Sequence, residues 1–377
     1  MEKLKYNILV IVIALSAIIG TEISANTVFS FKKELKREVH EHFIVSPDAL
    51  LTIVNKYGNI NINTWDQNKI QIDVYMTVKS GSTSKAQEFI DDIKIDFNSS
   101  TRGVSATTIY PDSGNGSWFG WLFGSSNIDY EVHYEIKTPK QINIDITDKY
   151  GNISVTTIDG NADIVNKYGN ISMQNISGNL DLQLGYGKAS VEDLKDANVL
   201  IKYSKLKMGI CDNINIDSKY STINIKECIL LDTDSKYDEY TIGTLSTLAN
   251  RGHYDDWNID YIDVIKIRTK YSDIEINTLN GRADFDTSYG EVDIDNCTGS
   301  VESIEVEARY TDYTFGTIGD YRLQFDGSYT DLDTSNDFVK THYSKDGSSL
   351  EVKGYRGSSA ASLLLKVSMS YGDFDLD

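Results

Sequence analysis

Apolar and polar residues alternate in short runs along most of the chain, and the runs recur at a nearly constant interval. A Lys-Tyr-Gly-Asn phrase marks the recurrence, as in "NKYGNISM" at 166–173, and from Tyr150 to Tyr289 its tyrosine returns every 17 or 18 residues. The residues three, five and eight positions after each tyrosine are mostly apolar, with mostly polar residues between them. Alternation with a period of two is typical of a strand buried on one face. Each repeat therefore predicts at least two short strands joined by turns.

A repeat of this length is too short to fold by itself, so its strands need neighbours. Parallel stacking pairs each backbone with the repeats above and below and joins the apolar positions into one core. Antiparallel hairpins would not bring equivalent residues of successive repeats together. We therefore predict an all-β fold, a right-handed parallel β-solenoid (β-helix) of about 13 rungs with 17–18-residue repeats. With roughly 4.8 Å between strands, the rungs would form a rod on the order of 60 Å long.

The repeats differ in length by one residue, and the difference has a definite place. Most of the longer copies carry a glycine before the second strand, as in "IDGNADI", "ISGNLDL" and "LNGRADF", whereas a shorter copy reads "CDNINI". Glycine adopts positive φ without steric cost, so we expect it to supply that conformation in the longer form of one turn. Beyond Tyr289 the spacing loosens, and we expect one degenerate copy between Tyr329 and Tyr371.

The two ends of such a solenoid must be covered, because an open end exposes strand edges and apolar core. Residues 26–140 are less regular, with one rung-like copy at 55–62 and further alternating runs. We expect this β-rich region to cap the N-terminal end of a solenoid that spans 141–377. The final segment, "SSLEVKGYRGSSAASLLLKVSMSYGDFDL", should close the opposite end.

One stretch of the cap region has helical rather than strand periodicity. The sequence "TSKAQEFIDDI" predicts a short amphipathic helix at 84–93. Ser84 and Gln87 stand in the spacing of a capping box, which marks the start of many helices.

The chain begins with a charged stretch and a 13-residue apolar run, "ILVIVIALSAIIG", at 8–20. A membrane-spanning helix needs about 20 apolar residues, so this run is short for a membrane span. We predict a secretory signal peptide over residues 1–25, with Ala25 before the cleavage point; an uncleaved N-terminal anchor is the alternative. No later segment has the length and apolar character of a transmembrane helix. We expect an exported protein in the periplasm or at the cell surface.

The acidic character of the chain narrows the classes of partner. The formal net charge is −20, and residues 270–377 alone hold 21 acidic and 9 basic residues. Such a surface repels phosphate backbones, which argues against nucleic acid as a partner and allows cations or basic partners.

Parallel stacking would place the repeat tyrosines in one column along the solenoid. An exposed aromatic column can contact the apolar faces of sugar rings; alternatively, each ring packs at a corner of its rung in a structural role only. The candidate contacts with a partner or glycan are Tyr168, Tyr186, Tyr203, Tyr220 and Tyr237. Lysines precede many repeat tyrosines. We expect their charges to be solvated, or partly paired with the acidic residues that follow the later tyrosines by two positions.

A second candidate contact lies in "PDSGNGSWFGWLFGSSN" at 111–127. Glycine and serine flank a group of large apolar side chains there, including Trp118, Phe119, Trp121 and Phe123. These residues either fold back to cover the open end of the solenoid or form an exposed anchor for a partner, a glycan or a membrane surface.

The three cysteines, Cys211, Cys228 and Cys297, each lie eight residues after a repeat tyrosine, where other repeats carry Ile or Leu. We expect them to behave as small buried hydrophobes with free thiols. Side chains in register on parallel strands rarely meet the torsion that a disulfide requires. The alternative is a disulfide between Cys211 and Cys228, one rung apart.

The sequence gives little support for a metal, a cofactor or a catalytic centre. The Gly-Gly-x-Gly-x-Asp pattern of calcium-binding β-rolls is missing, and no Cys-x-x-Cys pair supports zinc. The five histidines stand in unrelated contexts, and the repeats between 150 and 289 are too short to carry long loops that wall an enzyme cleft. We therefore expect no enzymatic activity.

The segments "PDALLTIVNKYGNINI", "YEIKTPKQINIDI" and "DKYGNISV", with the recurring Tyr-Gly rungs, give the chain a family likeness. It resembles the bacterial toast-rack, or putative-adhesin, β-strand-repeat family over essentially the whole mature chain. The resemblance implies an exported, envelope-associated and adhesin-like β-solenoid, with no catalytic residues to carry over. The chain has many more rungs than the compact members of that family, so no specific partner follows.

These observations predict an exported, adhesin-like binding or structural scaffold without catalytic activity, acting as a monomer. Its partner would be a protein or glycan at the cell envelope. Two alternatives stay open: a carbohydrate-active β-helix enzyme and an accessory of envelope-stress signalling.

Overall fold

The computed structural model describes residues 33–111 and 128–376. The predicted signal peptide and the four aromatic candidates of the 111–127 segment lie outside the described residues. Seven strands and one helix precede the regular repeats: β1 (Lys33–Ile44), β2 (Leu50–Val54), β3 (Ile60–Trp65), β4 (Lys69–Ser80), α1 (Thr83–Asp92), β5 (Lys94–Ser100), β6 (Gly103–Ile109) and β7 (Ile128–Pro139).

Thirteen further strands follow, and several of them run through the corners of successive rungs. They are β8 (Asn143–Tyr150), β9 (Ile153–Val155), β10 (Ala162–Lys202), β11 (Ser204–Lys219), β12 (Thr222–Lys236), β13 (Glu239–His253), β14 (Asp256–Lys270), β15 (Asp273–Cys297), β16 (Ser303–Thr317), β17 (Tyr321–Thr334), β18 (Val339–Asp346), β19 (Ser349–Arg356) and β20 (Leu363–Leu376).

Successive rungs pair in parallel, and the register is that of the sequence repeat. Ile223 lies opposite Leu206 on one neighbouring rung and opposite Tyr240 on the other, and all three side chains are buried. Equivalent apolar positions therefore form continuous columns, and the columns together make one core along the rod. The predicted parallel β-solenoid is confirmed.

The first rung of the solenoid and the rung stacked on it are far apart in the sequence. Strands β2 and β3 pair with β8 and β9 on one side and with β6 and β7 on the other. Between β3 and β8 the chain leaves the solenoid and forms strands β4–β7 and helix α1. Strands β4 and β7 make an antiparallel ribbon with β1, which precedes the first rung, and β5 pairs antiparallel with β6. Strands β6 and β7 of this excursion thus pair with the edge of the first rung that faces away from the regular repeats.

Helix α1 forms where the sequence predicts a helix, but its N-cap lies two residues earlier than predicted. Ser82 is the N-cap, and its Oγ accepts a hydrogen bond from the backbone N–H of Lys85 (3.5 Å). The predicted capping box of Ser84 and Gln87 is therefore wrong. Gln87 instead donates to the carboxylate of Asp91, one turn later (3.0 Å).

The C-terminal end differs from the expected simple continuation of rungs. Strand β20 inserts between β16 and β17 and pairs in parallel with both. The segment expected to hold a degenerate rung instead forms the antiparallel hairpin β18–β19, with β19 paired along β17. Insertion pairs β20 on both of its edges, and the hairpin covers the first half of the outer edge of β17, Tyr321–Ser328.

The extra residue of the longer rungs lies where the sequence places it, but glycine has another role there. The pairing of β14 with β15 shifts between Ile262 and Val264, opposite the Gly281 turn. Gly160, Gly178 and Gly281 do not have positive φ, so that expectation is wrong. A Cβ at these three sites would lie 2.0–2.5 Å from a backbone carbonyl oxygen of the adjacent rung. Glycine is required because the rungs approach closely, not because of φ.

Deleting residues 221–237 removes one complete rung and joins Tyr220 to Asp238. We expect this variant to fold with an intact core, because every remaining residue keeps its column, and to lose unfolding free energy because one interface between rungs is gone. Circular dichroism and urea unfolding measure both effects. The matched control deletes residues 221–229, which moves later apolar residues out of their columns and should abolish folding. Equal behaviour of the two deletions would contradict the register described above.

Candidate binding surface

The repeat tyrosines form a single stack along the solenoid. Neighbouring ring centroids are 4.6–5.2 Å apart, and neighbouring planes are parallel within 13°. We call this stack the tyrosine column. In spatial order it contains Tyr57, Tyr150, Tyr168, Tyr186, Tyr203, Tyr220, Tyr237, Tyr254, Tyr271, Tyr289, Tyr310, Tyr371 and Tyr329.

The column is exposed over most of its length. From Tyr186 to Tyr329 every tyrosine residue is between 39% and 62% exposed, whereas the first three are half-buried. At the N-terminal end, Tyr110 and Tyr130 meet Tyr57 edge-on. All five tyrosines predicted as partner contacts are members of the column.

The stacking limits what the column can offer to a ligand. Each inner ring has another ring over both of its faces, so its free part is the outer edge with the hydroxyl group. A sugar ring cannot lie flat on an inner tyrosine, as a platform of free aromatic faces would require. The column instead presents one hydroxyl group per rung in a row, and only its two end rings, Tyr57 and Tyr329, have a face without a stacking partner in the column.

The chain turns the corner at the column in two ways. In the early rungs a glycine after the tyrosine has positive φ, as at Gly169 and Gly187. From Tyr203 onward nine column tyrosines themselves adopt the left-handed conformation, with φ between 51° and 62°. This conformation costs a residue with a Cβ about 1–2 kcal/mol. The sequence carries a weak signal of the change, because "KYG" becomes "KYS" or "KYD" in four of the nine later rungs.

A buried polar column behind the tyrosines satisfies the backbone at this corner. The residues that follow the five tyrosines from Tyr203 to Tyr271 are buried. Four of them accept a hydrogen bond from the backbone N–H of the preceding corner: Ser221, Asp238, Asp255 and Ser272. The carboxylate of Asp238 accepts the N–H of Ser221 (2.7 Å), and Asp255 accepts the N–H of Asp238 (3.0 Å). Ser272 Oγ in turn accepts the N–H of Asp255 (3.0 Å). Buried backbone donors need such partners. The sequence interpretation missed this column, although the polar residue after each of the five tyrosines from Tyr203 to Tyr271 was its signal.

Charged residues flank the tyrosine column on both sides. The ammonium groups of Lys56, Lys149, Lys167 and Lys236 lie 4.8–5.4 Å from the centroid of the tyrosine that follows each lysine. In the described residues no ion pair joins a lysine of this row to the acidic row on the other side. The acidic row occupies consecutive rungs: Glu239, Asp256, Asp273, Glu291, Asp312, Asp373 and Asp331.

Mutual repulsion acts within and beside the acidic row. The pKa of Glu291 is raised, chiefly by the charge of Asp293 and also by partial burial and by Asp273 and Asp312. The pKa of Asp256 is raised by burial and by the charges of Asp273 and Glu239. This half of the surface is therefore strongly negative.

A groove runs beside the column. Its largest part has a volume of about 690 Å³ and touches a second part of about 310 Å³ at Lys270 and Asp286. Every residue that lines these parts stands within three positions before a column tyrosine. Small residues such as Ser288, Gly327 and Ser328 form the floor of the larger part, which is why the surface is concave there.

The three cysteines are buried free thiols. Cys211 and Cys228 are register neighbours, and both are free and buried, as is Cys297. Burial raises the pKa of Cys297 to about 12.

Within residues 33–111 and 128–376, no group of three or more His, Cys, Asp or Glu side chains is placed to hold a metal ion. The helix in that part of the chain is neither long nor apolar enough to cross a membrane.

No protein-family profile matches the chain, and no curated protein matches it. Among solved structures it is similar to a putative adhesin from Bacteroides fragilis, with 14% sequence identity and a TM-score of 0.38, over 57% of this chain and 94% of that one. It is also similar to a putative cell adhesion protein from Clostridium sporogenes, with 11% identity and a TM-score of 0.16, over 90% of this chain and 99% of that one. Likenesses at this level establish neither ligand nor activity for this chain.

One corner of the column contains an unusual buried carboxyl group. Asp148 lies two positions before Tyr150, where the adjacent rungs carry Asn55 and Asn166. Those two amides donate to backbone carbonyls, Asn166 to that of Gly151 (2.8 Å). Neither oxygen of Asp148 has a hydrogen-bonding partner among the described residues. A carboxylate cannot donate, whereas a protonated carboxyl can. Burial raises the pKa of Asp148 to about 7, opposed in part by the nearby N–H of Lys149.

We expect Asp148→Asn to stabilise the protein at pH 8. The folded-state pKa lies above the unfolded value of about 3.9, so the neutral form stabilises the fold below that value, and the contribution is lost as pH rises through about 7. The variant should gain up to about 4 kcal/mol over wild type at pH 8 and nothing near pH 4. Urea unfolding between these pH values measures the difference. The exposed Asp193→Asn serves as control, and an Asp148→Asn gain independent of pH would contradict the argument.

The left-handed tyrosines give a second test. At Tyr220, with φ of 55°, glycine should be a better replacement than alanine by about 1–2 kcal/mol, because alanine keeps the cost of positive φ. At Tyr168, whose φ is not positive, alanine should be better than glycine by about 0.5–1 kcal/mol. All four variants lose the same ring stacking, so thermal or urea unfolding isolates the backbone effect. The same order at both positions would refute it.

Proposed function

We propose that this protein is an exported, adhesin-like binding scaffold without catalytic activity, which engages a ligand along the tyrosine column and its groove. The observation that carries the proposal is the continuous exposed row of tyrosine hydroxyls beside a groove that follows the same axis. The apolar segment at 8–20 supports export, and the family resemblance supports a place at the cell envelope.

The regularity of the row favours a ligand that also repeats. Each rung offers the same small contact, and a single exposed hydroxyl contributes little. A ligand with equivalent groups along a line can contact many rungs at once, and its later contacts form within one complex at a high effective concentration. An extended polymer laid along the solenoid fits this arrangement better than a small molecule.

The chemistry of the surface favours a glycan chain. Hydroxyl groups, serines and carboxylates around the groove can donate to and accept from sugar hydroxyls. The acidic row would repel a polyanionic chain. We therefore propose that the ligand is a neutral or cationic polysaccharide of the cell envelope. The alternative ligand is an extended surface protein.

Binding to a panel of soluble and immobilised polysaccharides tests this function. The variant Tyr254→Phe/Tyr271→Phe/Tyr289→Phe keeps the ring stack and removes three neighbouring hydroxyl groups, so affinity for a bound glycan should fall. Tyr343→Phe is the matched control, because Tyr343 is equally exposed but lies outside the column. Trp118→Ala/Trp121→Ala tests the second predicted contact.

Three results would count against the proposal. If the protein bound no polysaccharide, a glycan would be excluded as its ligand. If the triple variant and wild type bound a polysaccharide with equal affinity, the tyrosine hydroxyls of the column would be excluded as the contact. Release of shorter sugars from any polysaccharide would favour the enzyme instead of the scaffold.

A further inference from the structure

Ring proximity in the column has a chemical consequence apart from ligand binding. Twelve successive ring pairs lie within 5.2 Å, centroid to centroid, and ten of the rings are exposed. We propose that the tyrosine column is a site of oxidative cross-linking, in which hydrogen peroxide and a haem peroxidase couple neighbouring column tyrosines into dityrosine.

The backbone holds the reacting groups together. Strands of adjacent rungs lie roughly 4.8 Å apart, so each tyrosine has its partner at a fixed short distance before any chemistry begins. Such positioning replaces a bimolecular encounter by an intramolecular one. The ring carbons next to the hydroxyl group belong to the outer, solvent-facing end of the side chain. That end can be oxidised and can move the short distance needed for bonding, because no packed core surrounds it.

The reaction balances with peroxide as the oxidant. Each of two tyrosines gives up one electron and its phenolic proton and becomes a neutral tyrosyl radical. The two radicals form one carbon–carbon bond between ring carbons next to the oxygens. The hydrogen on each of these carbons then moves to the oxygen, which restores both phenols. In sum, two tyrosines and one hydrogen peroxide give one dityrosine and two waters.

A continuous column favours this outcome over isolated oxidation. A radical on one ring can exchange with the next tyrosine without a change in chemical identity, so it can move along the column until it meets a second radical. An exposed tyrosine outside the column, such as Tyr343, has no column tyrosine stacked on it with which to exchange a radical. The resulting bonds would join successive rungs and constrain the unfolded chain, as short-loop cross-links do.

Two variants with equal tyrosine content test the proposal. The alternating variant leaves no two tyrosines adjacent in the column; it carries Tyr57→Phe, Tyr168→Phe, Tyr203→Phe, Tyr237→Phe, Tyr271→Phe, Tyr310→Phe and Tyr329→Phe. The block variant leaves six adjacent tyrosines at the C-terminal end; it carries Tyr57→Phe, Tyr150→Phe, Tyr168→Phe, Tyr186→Phe, Tyr203→Phe, Tyr220→Phe and Tyr237→Phe. Phenylalanine preserves the ring stack in both, and circular dichroism checks their folding.

Wild type and both variants are treated with hydrogen peroxide and a haem peroxidase at low protein concentration. Dityrosine fluorescence is then measured on the monomer band. We expect strong fluorescence for wild type, retained fluorescence for the block variant and loss of it for the alternating variant. Equal fluorescence of the two variants, or cross-links found only between molecules, would overturn the proposal.

Peptide mapping of oxidised wild type gives an independent answer that requires no variant to fold. Tyr310 neighbours Tyr371 in the column, and Tyr371 neighbours Tyr329, although both pairs are far apart in sequence. Cross-links between these partners are expected. Links between Tyr310 and Tyr329, which follow each other in sequence but not in the column, would show coupling outside the native stack and contradict the proposal.

Discussion

In-register parallel pairing of the rungs is the constraint on which the rest of this structure depends. It places each residue at strand distance from its equivalents in the rungs above and below, so a residue chosen for one position must be compatible with copies of itself. Apolar and aromatic side chains gain from that arrangement, as the Tyr240–Trp257 stack in the core shows (centroids 3.9 Å apart). Like charges are disfavoured by it, and most of them lie in exposed rows; the buried pair Asp238 and Asp255 accepts backbone hydrogen bonds instead.

The corner at the tyrosine column shows how opposing terms are balanced. Nine tyrosines adopt a backbone conformation that bulky residues avoid. Three contributions offset that cost: stacking of the rings, hydrogen bonds such as Tyr220 N–H to the Lys236 carbonyl (3.0 Å), and the buried serines and aspartates behind the rings. Polar groups inside the corner are stabilising only where each finds a partner. Asp148 has none in the part of the chain that is described, which is why its protonation matters.

The same repetition gives the surface its character. A row of equivalent hydroxyls, a groove that follows the row and a line of carboxylates all run along the rod because the register repeats them. The larger part of the groove extends over several rungs. A surface of this kind suits long ligands and chemistry between neighbours. The glycan proposal and the dityrosine proposal both rest on this regularity, but they use different groups, hydroxyls in one case and ring carbons in the other.

The sequence by itself determined the rung, its apolar columns and the tyrosine column, because period-two alternation and a 17–18-residue repeat are local features that one chain displays directly. It also placed the short helix and the extra residue of the longer rungs. Only the tertiary structure decided which rungs are neighbours at the ends, where β20 lies between β16 and β17 and the cap interrupts the first rungs. The spatial order of the strands differs from their order in the sequence there, because a strand edge pairs with the segment that satisfies its backbone hydrogen bonds. The left-handed tyrosines, the close-approach glycines and the buried Asp148 likewise depend on contacts between rungs, which the pattern within one rung does not contain.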